Sequence, residues 1–243
     1  WVAINLKICY TCKKTLHFDW IYTMKNTKSL SSKYWLIPVL LMIILNFIAY
    51  NVTKFIADGW EHYDFHLPID NAIPFLPAFI TVYILAYIQW VVGYGLIAIE
   101  SKEVCYRVIS SEMISKLICL VIFLVLPTSM NRPEITGTDM FSKLTQFIYN
   151  ADTPTNLFPS VHCLESWILF RTAGKVTAHK KWLLPLWGIS TLLVFASVVF
   201  VKQHLILDIP AAIIVGEIGL FLGKKLKTER IFEKINNRFL KGA

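Results

Sequence analysis

The sequence predicts an all-α integral membrane protein, a bundle of about six transmembrane helices. Hydrophobic residues make up 56% of its 243 residues and aromatic residues 14%, whereas about 45–50% apolar residues is usual for a soluble domain. The excess is clustered into stretches that approach the roughly 20 apolar residues that a spanning helix needs. Lys and Arg fall mainly between these stretches, which is typical of a membrane topology signal.

Six apolar stretches are the expected spans, and the fourth is short and carries polar residues. They cover residues 35–52, 73–99, 114–127, 158–170, 182–201 and 205–222. The N-terminal segment combines basic and aromatic residues, which is typical of a segment that lies on anionic lipid. The expected organisation is an interfacial segment over 1–33, a six-helix membrane domain over 34–226 and a basic tail over 227–243.

Six spans place both termini on one side, and the basic residues indicate which side. Twenty Lys and Arg residues fall on the side of the termini and four on the other. The twenty include Lys102, Arg107 and Lys116, which are assigned to the second loop. Because cytoplasmic loops carry the excess of Lys and Arg, both termini are expected in the cytoplasm. The net charge of +8 then reflects topology, and nucleic-acid binding is not expected.

Two short patterns resemble metal sites, and neither is complete. Cys9 and Cys12 form a C-x-x-C without a second pair, so half of a zinc site is missing. His62 and His66 are four residues apart in an acidic loop, and solvated loop histidines explain them more simply than a metal does. Neither a metal nor a cofactor is expected.

A first candidate site motif is Phe158-Pro159-Ser160-Val161-His162, at the start of the fourth stretch. Proline is favoured in the first turn of a helix, where its missing N–H costs nothing. The free N–H groups that follow, together with the helix dipole, favour an anion. Ser160 can add a hydroxyl, and His162 can donate a proton to a leaving oxygen.

A second candidate site motif runs from Ser197 to Asp208, at the turn between the fifth and sixth stretches. His204 and Asp208 are four residues apart and share one face of a helix. A carboxylate on one imidazole nitrogen leaves the other free as a nucleophile or base. Lys202 is close enough to face a phosphate. An ordinary His–Asp pair that caps a helix is an equally good explanation of this motif alone.

Arg132-Pro133 adds a third polar element, in the loop after the third stretch. Arginine is suited to bidentate contact with phosphate. In the predicted topology the three elements lie on the same, extracytoplasmic face, which favours a shared anion site over three unrelated loops.

Taken together, these elements resemble a known family. Arg132-Pro133, then Pro159 to His162, then Ser197 with His204 and Asp208, are similar in order and spacing to the three motifs of the type 2 phosphatidic acid phosphatase and haloperoxidase superfamily. The resemblance covers roughly residues 110–215. A soluble haloperoxidase role does not agree with the predicted spans.

The resemblance implies a role for each matching residue. His204 attacks phosphorus and forms a phosphohistidine, Asp208 orients His204, and His162 protonates the departing oxygen. The remaining matching residues, Arg132, Ser160 and Ser197, hold the phosphoryl oxygens together with backbone N–H groups. Such charge stabilisation is usually the largest catalytic contribution.

Two positions depart from the family pattern. Val125 stands where the first motif usually has lysine, and Val198 stands where the third motif usually has arginine. Lys202, or less plausibly Lys143, is the expected replacement. This variation resembles the branch with inositol phosphorylceramide and sphingomyelin synthases, which transfer a phosphorylated headgroup between lipids.

Two polar residues near the second motif are weaker candidates. Glu165 follows His162 by three residues and is expected either to contact a headgroup or to tune His162, or simply to pack between helices. Asn156 lies before the motif and is expected to line the entrance of the site or to belong to an ordinary loop.

The expected function is hydrolysis of a phosphate or pyrophosphate lipid at the extracytoplasmic face. Phosphatidate, phosphatidylglycerophosphate and undecaprenyl pyrophosphate all suit the motifs, and the bilayer supplies the substrate laterally. Two alternatives are a lipid headgroup phosphotransferase that uses the same residues, and a non-catalytic lipid-binding or transport protein.

Overall fold

The fold is all-helical, as the sequence predicts. A computed structural model of the chain describes residues 33–176 and 181–239, and within these ranges it contains helices and no strand. We number the helices α1 to α9. They are α1 (Lys33–Ile56), α2 (Pro68–Ala72), α3 (Pro77–Glu100), α4 (Lys102–Val125), α5 (Met140–Ala151), α6 (Val161–Val176), α7 (Leu183–Phe200), α8 (Asp208–Lys225) and α9 (Glu229–Phe239).

Four helices in the described part of the chain are long and apolar enough to cross a membrane. They are α1, α3, α4 and α7, and they correspond to the first, second, third and fifth predicted spans. The other two predicted spans correspond to α6, which has 16 residues, and α8, which has 18 and carries Glu217. Four candidate spans are consistent with a membrane protein, and the count of six stays a prediction.

Helix α4 begins much earlier than expected, which corrects the assignment of Lys102, Arg107 and Lys116 to a loop. The Ser101 hydroxyl accepts a hydrogen bond from the Val104 N–H at 3.2 Å, so a serine N-cap starts the helix before the apolar run begins. Lys116 lies in the second half of α4 with a side chain 1% exposed. The predicted third span, 114–127, already contains this lysine, yet the topology prediction counts it with the loop because the sequence does not show its partner on another helix.

Helix α8 packs against α4 through small residues. A Cβ atom at Gly219 would lie 2.7 Å from the Ser111 carbonyl oxygen, so only glycine allows this approach. The Ser115 hydroxyl bridges the pair by donating to the Val215 carbonyl at 3.4 Å. Small residues of this kind bring helix backbones together in membranes. The close packing fixes the position of Asp208, the first residue of α8.

Three helices, α2, α5 and α9, lie where no span was expected. Asp139 caps α5 by accepting from the Phe141 and Ser142 N–H groups at 2.9 and 3.2 Å, and hydrogen bonds from Ser142 lower the pKa of Asp139. Helix α9 lies in the predicted basic tail, where Phe232 is buried and Asn236 donates to the Tyr34 carbonyl at 2.8 Å. Part of the tail therefore packs against the bundle.

The predicted sites converge at one end of the bundle. The N-termini of α6 and α8, the C-terminus of α7 and the loop after α4 meet there, because Ser160 donates its N–H to the Asp208 carbonyl at 3.3 Å and Arg132 reaches Gln203.

Candidate active site

The structure brings the two predicted histidines together. The ring centroids of His162, at the start of α6, and His204, in the turn before α8, are 6.3 Å apart. Both side chains are buried.

Asp208 binds His204 directly and also shapes the turn that carries it. Its Oδ2 atom lies 3.0 Å from His204 Nδ1 and accepts the Leu205 N–H at 3.0 Å. Asp208 is 1% exposed. A carboxylate at Nδ1 selects the tautomer whose Nε2 lone pair is free. His204 Nε2 can therefore act as a nucleophile or base.

The turn before His204 is held by backbone hydrogen bonds to α7. The N–H groups of Gln203 and His204 both donate to the Val198 carbonyl, at 2.9 and 3.1 Å. Lys202 has a φ of 50°, in the left-handed region that reverses the chain here. Val198 is fully buried, so the position where the family pattern has arginine serves packing and turn geometry in this chain.

Aromatic side chains of α3 surround His162. The ring stacks on Tyr83 with a centroid distance of 4.1 Å, and Trp90 and Tyr87 lie at 4.8 and 5.2 Å. Its Nε2 atom is buried and has no hydrogen-bond partner among the described residues. The aromatic contacts set the plane of the ring and leave one nitrogen available for a ligand.

Ser160 is committed in part to the local fold. Its Oγ accepts the Cys163 N–H at 3.3 Å and its own N–H donates to Asp208. Two of the N–H groups expected to bind an anion at this helix start therefore have protein partners. The Ser160 side chain is fully buried beside the second motif.

Arg132 reaches the site through a residue that the sequence analysis missed, Gln203. One guanidinium nitrogen, Nη2, donates to Gln203 Oε1 at 2.5 Å and the other, Nη1, to the Asp152 carbonyl at 2.5 Å. The guanidinium carbon lies 4.6 Å from the centre of the Tyr149 ring. Burial raises the pKa of Tyr149 to about 12, so this phenol stays neutral beside the arginine.

Gln203 has a buried donor without a protein acceptor. The side chain is 1% exposed, and neither its Nε2 nor Arg132 Nε has a hydrogen-bond partner within residues 33–176 and 181–239. Unpaired buried donors are costly, and both are suited to bind an anion. Gln203 directly precedes His204, and that adjacency was the signal available in the sequence.

Lys202 and Ser197 contact other parts of the molecule. Lys202 Nζ donates to the carbonyls of Asp70 and Ile73 at 2.9 and 2.6 Å, and burial lowers its pKa. The Ser197 hydroxyl donates to the Val194 carbonyl at 2.8 Å inside α7. Lys202 therefore ties the loop after α2 to the turn before His204.

The contacts made by the remaining predicted residues are with groups other than the histidine pair. Asn156 has a φ of 55° and donates to the Tyr50 carbonyl and the Thr53 hydroxyl at 3.2 and 3.0 Å. Glu165 contacts Lys116, and Lys143 is exposed on α5. Val125 is 74% exposed.

The described residues include no group of three or more His, Cys, Asp or Glu arranged to hold a metal ion. His62 Nδ1 lies 2.8 Å from the Trp60 carbonyl oxygen. Cys9 and Cys12 lie outside the described residues.

Comparison with known protein families, curated proteins and solved structures finds no match to this chain.

Proposed function

We propose that this chain is a metal-independent lipid phosphate phosphatase that works through a phosphohistidine intermediate. The observation that carries the proposal is the His204–Asp208 pair with His162 opposite, because it presents a nucleophile and an acid 6.3 Å apart between ring centres. The motif resemblance to type 2 phosphatidic acid phosphatases supports the same assignment.

In the proposed first step, His204 Nε2 forms a bond to phosphorus while the bond from phosphorus to the lipid oxygen breaks. Protonated His162 gives its proton to that oxygen, which leaves as an alcohol, or as lipid phosphate when the substrate is a pyrophosphate. In the second step, neutral His162 takes a proton from water, the water oxygen bonds to phosphorus, and the His204–phosphorus bond breaks. Phosphate is released and both histidines return to their starting state.

Charge on the transferred group is stabilised by donors around it. Arg132 Nε and Gln203 Nε2 are buried and unpartnered within the described chain. Gln203 directly precedes His204 in sequence, and Arg132 is hydrogen-bonded to Gln203. Donors that are already fixed before the reaction lower its barrier because they need no reorganisation.

The membrane arrangement is part of the proposal. We propose six spans, with α6 and α8 completing the four apolar helices, both termini in the cytoplasm and the site at the extracytoplasmic end. The distribution of basic residues supports this orientation. All three basic residues of the predicted second loop lie in α4, but Lys102 and Arg107 are near its start and only Lys116 is deep in the helix, so the asymmetry remains.

The decisive experiment is phosphate release by the detergent-purified chain from phosphatidate, phosphatidylglycerophosphate and undecaprenyl pyrophosphate, with a chelator present. We expect His204→Ala to reduce release by on the order of 10⁴-fold or more, because the nucleophile is lost. His66→Ala removes an exposed histidine of the loop before α2; it is the matched control and should release phosphate normally. Near-normal release by His204→Ala would refute the phosphohistidine scheme.

A second measurement tests the acid. His162→Ala should slow release from lipids with alkyl leaving groups by about 10²- to 10⁴-fold. An aryl phosphate leaves without protonation, so its turnover should fall much less. Equal losses on both substrates would mean that His162 is not the acid.

Headgroup phosphotransfer is the second candidate, and the shortage of cations favours it. Val198 is buried and Lys202 binds backbone carbonyls, so neither supplies the charge that suits a dianionic monoester. Transfer would give a new phospholipid in place of free phosphate when a lipid donor and acceptor are supplied together. A non-catalytic lipid-binding or transport protein would give neither product.

A further inference from the structure

A buried charge cluster lies inside the bundle, apart from the histidine pair. It consists of Glu112 and Lys116 of α4, Glu165 of α6 and Tyr94 of α3. Lys116 Nζ lies 2.7 Å from Glu165 Oε1 and 3.7 Å from Glu112 Oε1. The Tyr94 hydroxyl donates to the other Glu165 oxygen, Oε2. Glu165 is therefore the point at which three helices are joined.

The cluster is hard to explain by stability alone. The side chains of Glu112, Lys116 and Glu165 are 0%, 1% and 8% exposed. Ionisable groups inside a membrane are costly, and buried ion pairs can often be replaced by well-packed apolar residues without loss of stability. What apolar residues cannot supply is a directional contact that sets one helix against another.

The contact lies one helical turn from His162. Glu165 follows His162 by three residues, which is about 4.5 Å along the axis of α6. One turn before Tyr94 on α3, Trp90 donates its indole N–H to the Ser166 hydroxyl at 3.2 Å and packs against the His162 ring. The same two helices thus carry the cluster, the Trp90 hydrogen bond and the aromatic walls of His162.

We infer that Lys116 and Glu165 are positioning residues that set the register of α6 against α3 and α4, and so place His162 between its aromatic walls. Without Lys116, Glu165 keeps the hydrogen bond from Tyr94 of α3 but loses its cation on α4, so the contact that holds α6 against α4 is lost. The inference rests on the proposed role of His162 as the acid. Glu112 lies on the same helix as Lys116, so the Glu112–Lys116 ion pair is contained within α4 and does not join α4 to α6.

The test compares Lys116→Met and Glu165→Gln with Glu112→Gln. We expect the first two to slow release from alkyl phosphate lipids by about 10²-fold, and to slow aryl phosphate turnover much less. Glu112→Gln makes the same chemical change as Glu165→Gln and should stay near the unmodified chain. In the double variant Lys116→Met with His162→Ala, the loss should equal that of His162→Ala alone.

Three outcomes would overturn the inference. They are equal losses on alkyl and aryl phosphates, equal effects of Glu112→Gln and Glu165→Gln, and losses that multiply in the double variant. If His162→Ala itself shows no preference between leaving groups, the proposed acid fails as well.

A readout without turnover separates these failures. Carbethoxylation of His162 by diethyl pyrocarbonate, followed by mass spectrometry, reports how well the ring is sheltered. The rate of carbethoxylation should rise several-fold in Lys116→Met and stay unchanged in the control Arg171→Gln. This control removes the ion pair between Arg171, farther along α6, and Glu217 of α8. An unchanged rate in Lys116→Met would overturn the inference whether or not the chain hydrolyses lipids.

Discussion

Two buried polar regions lie along α6, and they differ in how their polar groups are paired. In the charge cluster, each charge of Glu112, Lys116 and Glu165 has an opposite charge within 4 Å. At the end of the bundle, His162, Gln203 and Arg132 each present a buried nitrogen without a partner in the described part of the chain. The cluster is joined by ion pairs, although Glu112 Oε1 and Oε2 and Lys116 Nζ also lack a hydrogen-bond partner among the described residues. The unpartnered nitrogens of Gln203 and Arg132 are donors that an anion can satisfy.

This difference indicates where a ligand belongs. Burying a polar group without a hydrogen bond costs free energy, so a site that retains several such donors is suited to an anion that completes it. A cluster whose charges are already paired contributes geometry and needs no ligand. The predictions below test this division, and they run from the largest expected effect to the smallest.

Asp208→Asn should have the largest effect of the three. An asparagine can still accept the Leu205 N–H, but its amide hydrogens favour the wrong His204 tautomer and its charge is lost. We expect phosphate release to fall by about 10³- to 10⁴-fold, with a thermal unfolding temperature close to that of the unmodified chain. Asp64→Asn, in an exposed loop, is the control. Release within a few-fold of normal would show that the carboxylate does not orient the nucleophile.

Gln203→Glu should have an intermediate effect. The carboxylate keeps the acceptor for Arg132, but it removes the free donor and places negative charge beside the phosphoryl oxygens. Loss of one such donor is worth about 10²-fold in turnover, and kinetics on phosphatidate measure it. Gln146→Glu, on the exposed face of α5, makes the same change away from the site. If both variants behave alike, Gln203 does not contact the transferred group.

Lys202→Met should have the smallest effect on activity and a measurable effect on stability. Two hydrogen bonds from the ammonium to the Asp70 and Ile73 carbonyls are lost, which we expect to cost about 1–3 kcal/mol in the free energy of unfolding. Denaturation in detergent measures this change. A large rise in KM with unchanged stability would instead restore Lys202 as a phosphate ligand.

Local patterns in the sequence predict part of this molecule well. Apolar length predicts the four candidate spans, and the four-residue spacing of His204 and Asp208 predicts their contact, because both depend on neighbours within one or two helical turns. Helix α5 was missed although Asp139 precedes it as an N-cap, since its 12 residues carry too little apolar character to stand out as a span.

Lys116 shows where such patterns fail. The predicted third span begins at residue 114, yet Lys116 is counted with the charges of the preceding loop. The structure starts α4 at Lys102, after the Ser101 N-cap, and buries Lys116 beside Glu165, 49 residues away in sequence. Lys202 shows the same limit, since its two acceptors lie 132 and 129 residues away.

By itself, the sequence determined the helical class, the membrane-spanning candidates and the pairing of His204 with Asp208. Only the tertiary structure decided that Gln203 joins Arg132 beside the nucleophile, that Lys202 binds carbonyls and that Glu165 belongs to a charge cluster. The physical reason is the distance in sequence between the residues that make contact. Periodicity and spacing report contacts within a few turns of one helix, whereas a buried polar group is satisfied by whichever distant residue the packing of helices brings within hydrogen-bond reach.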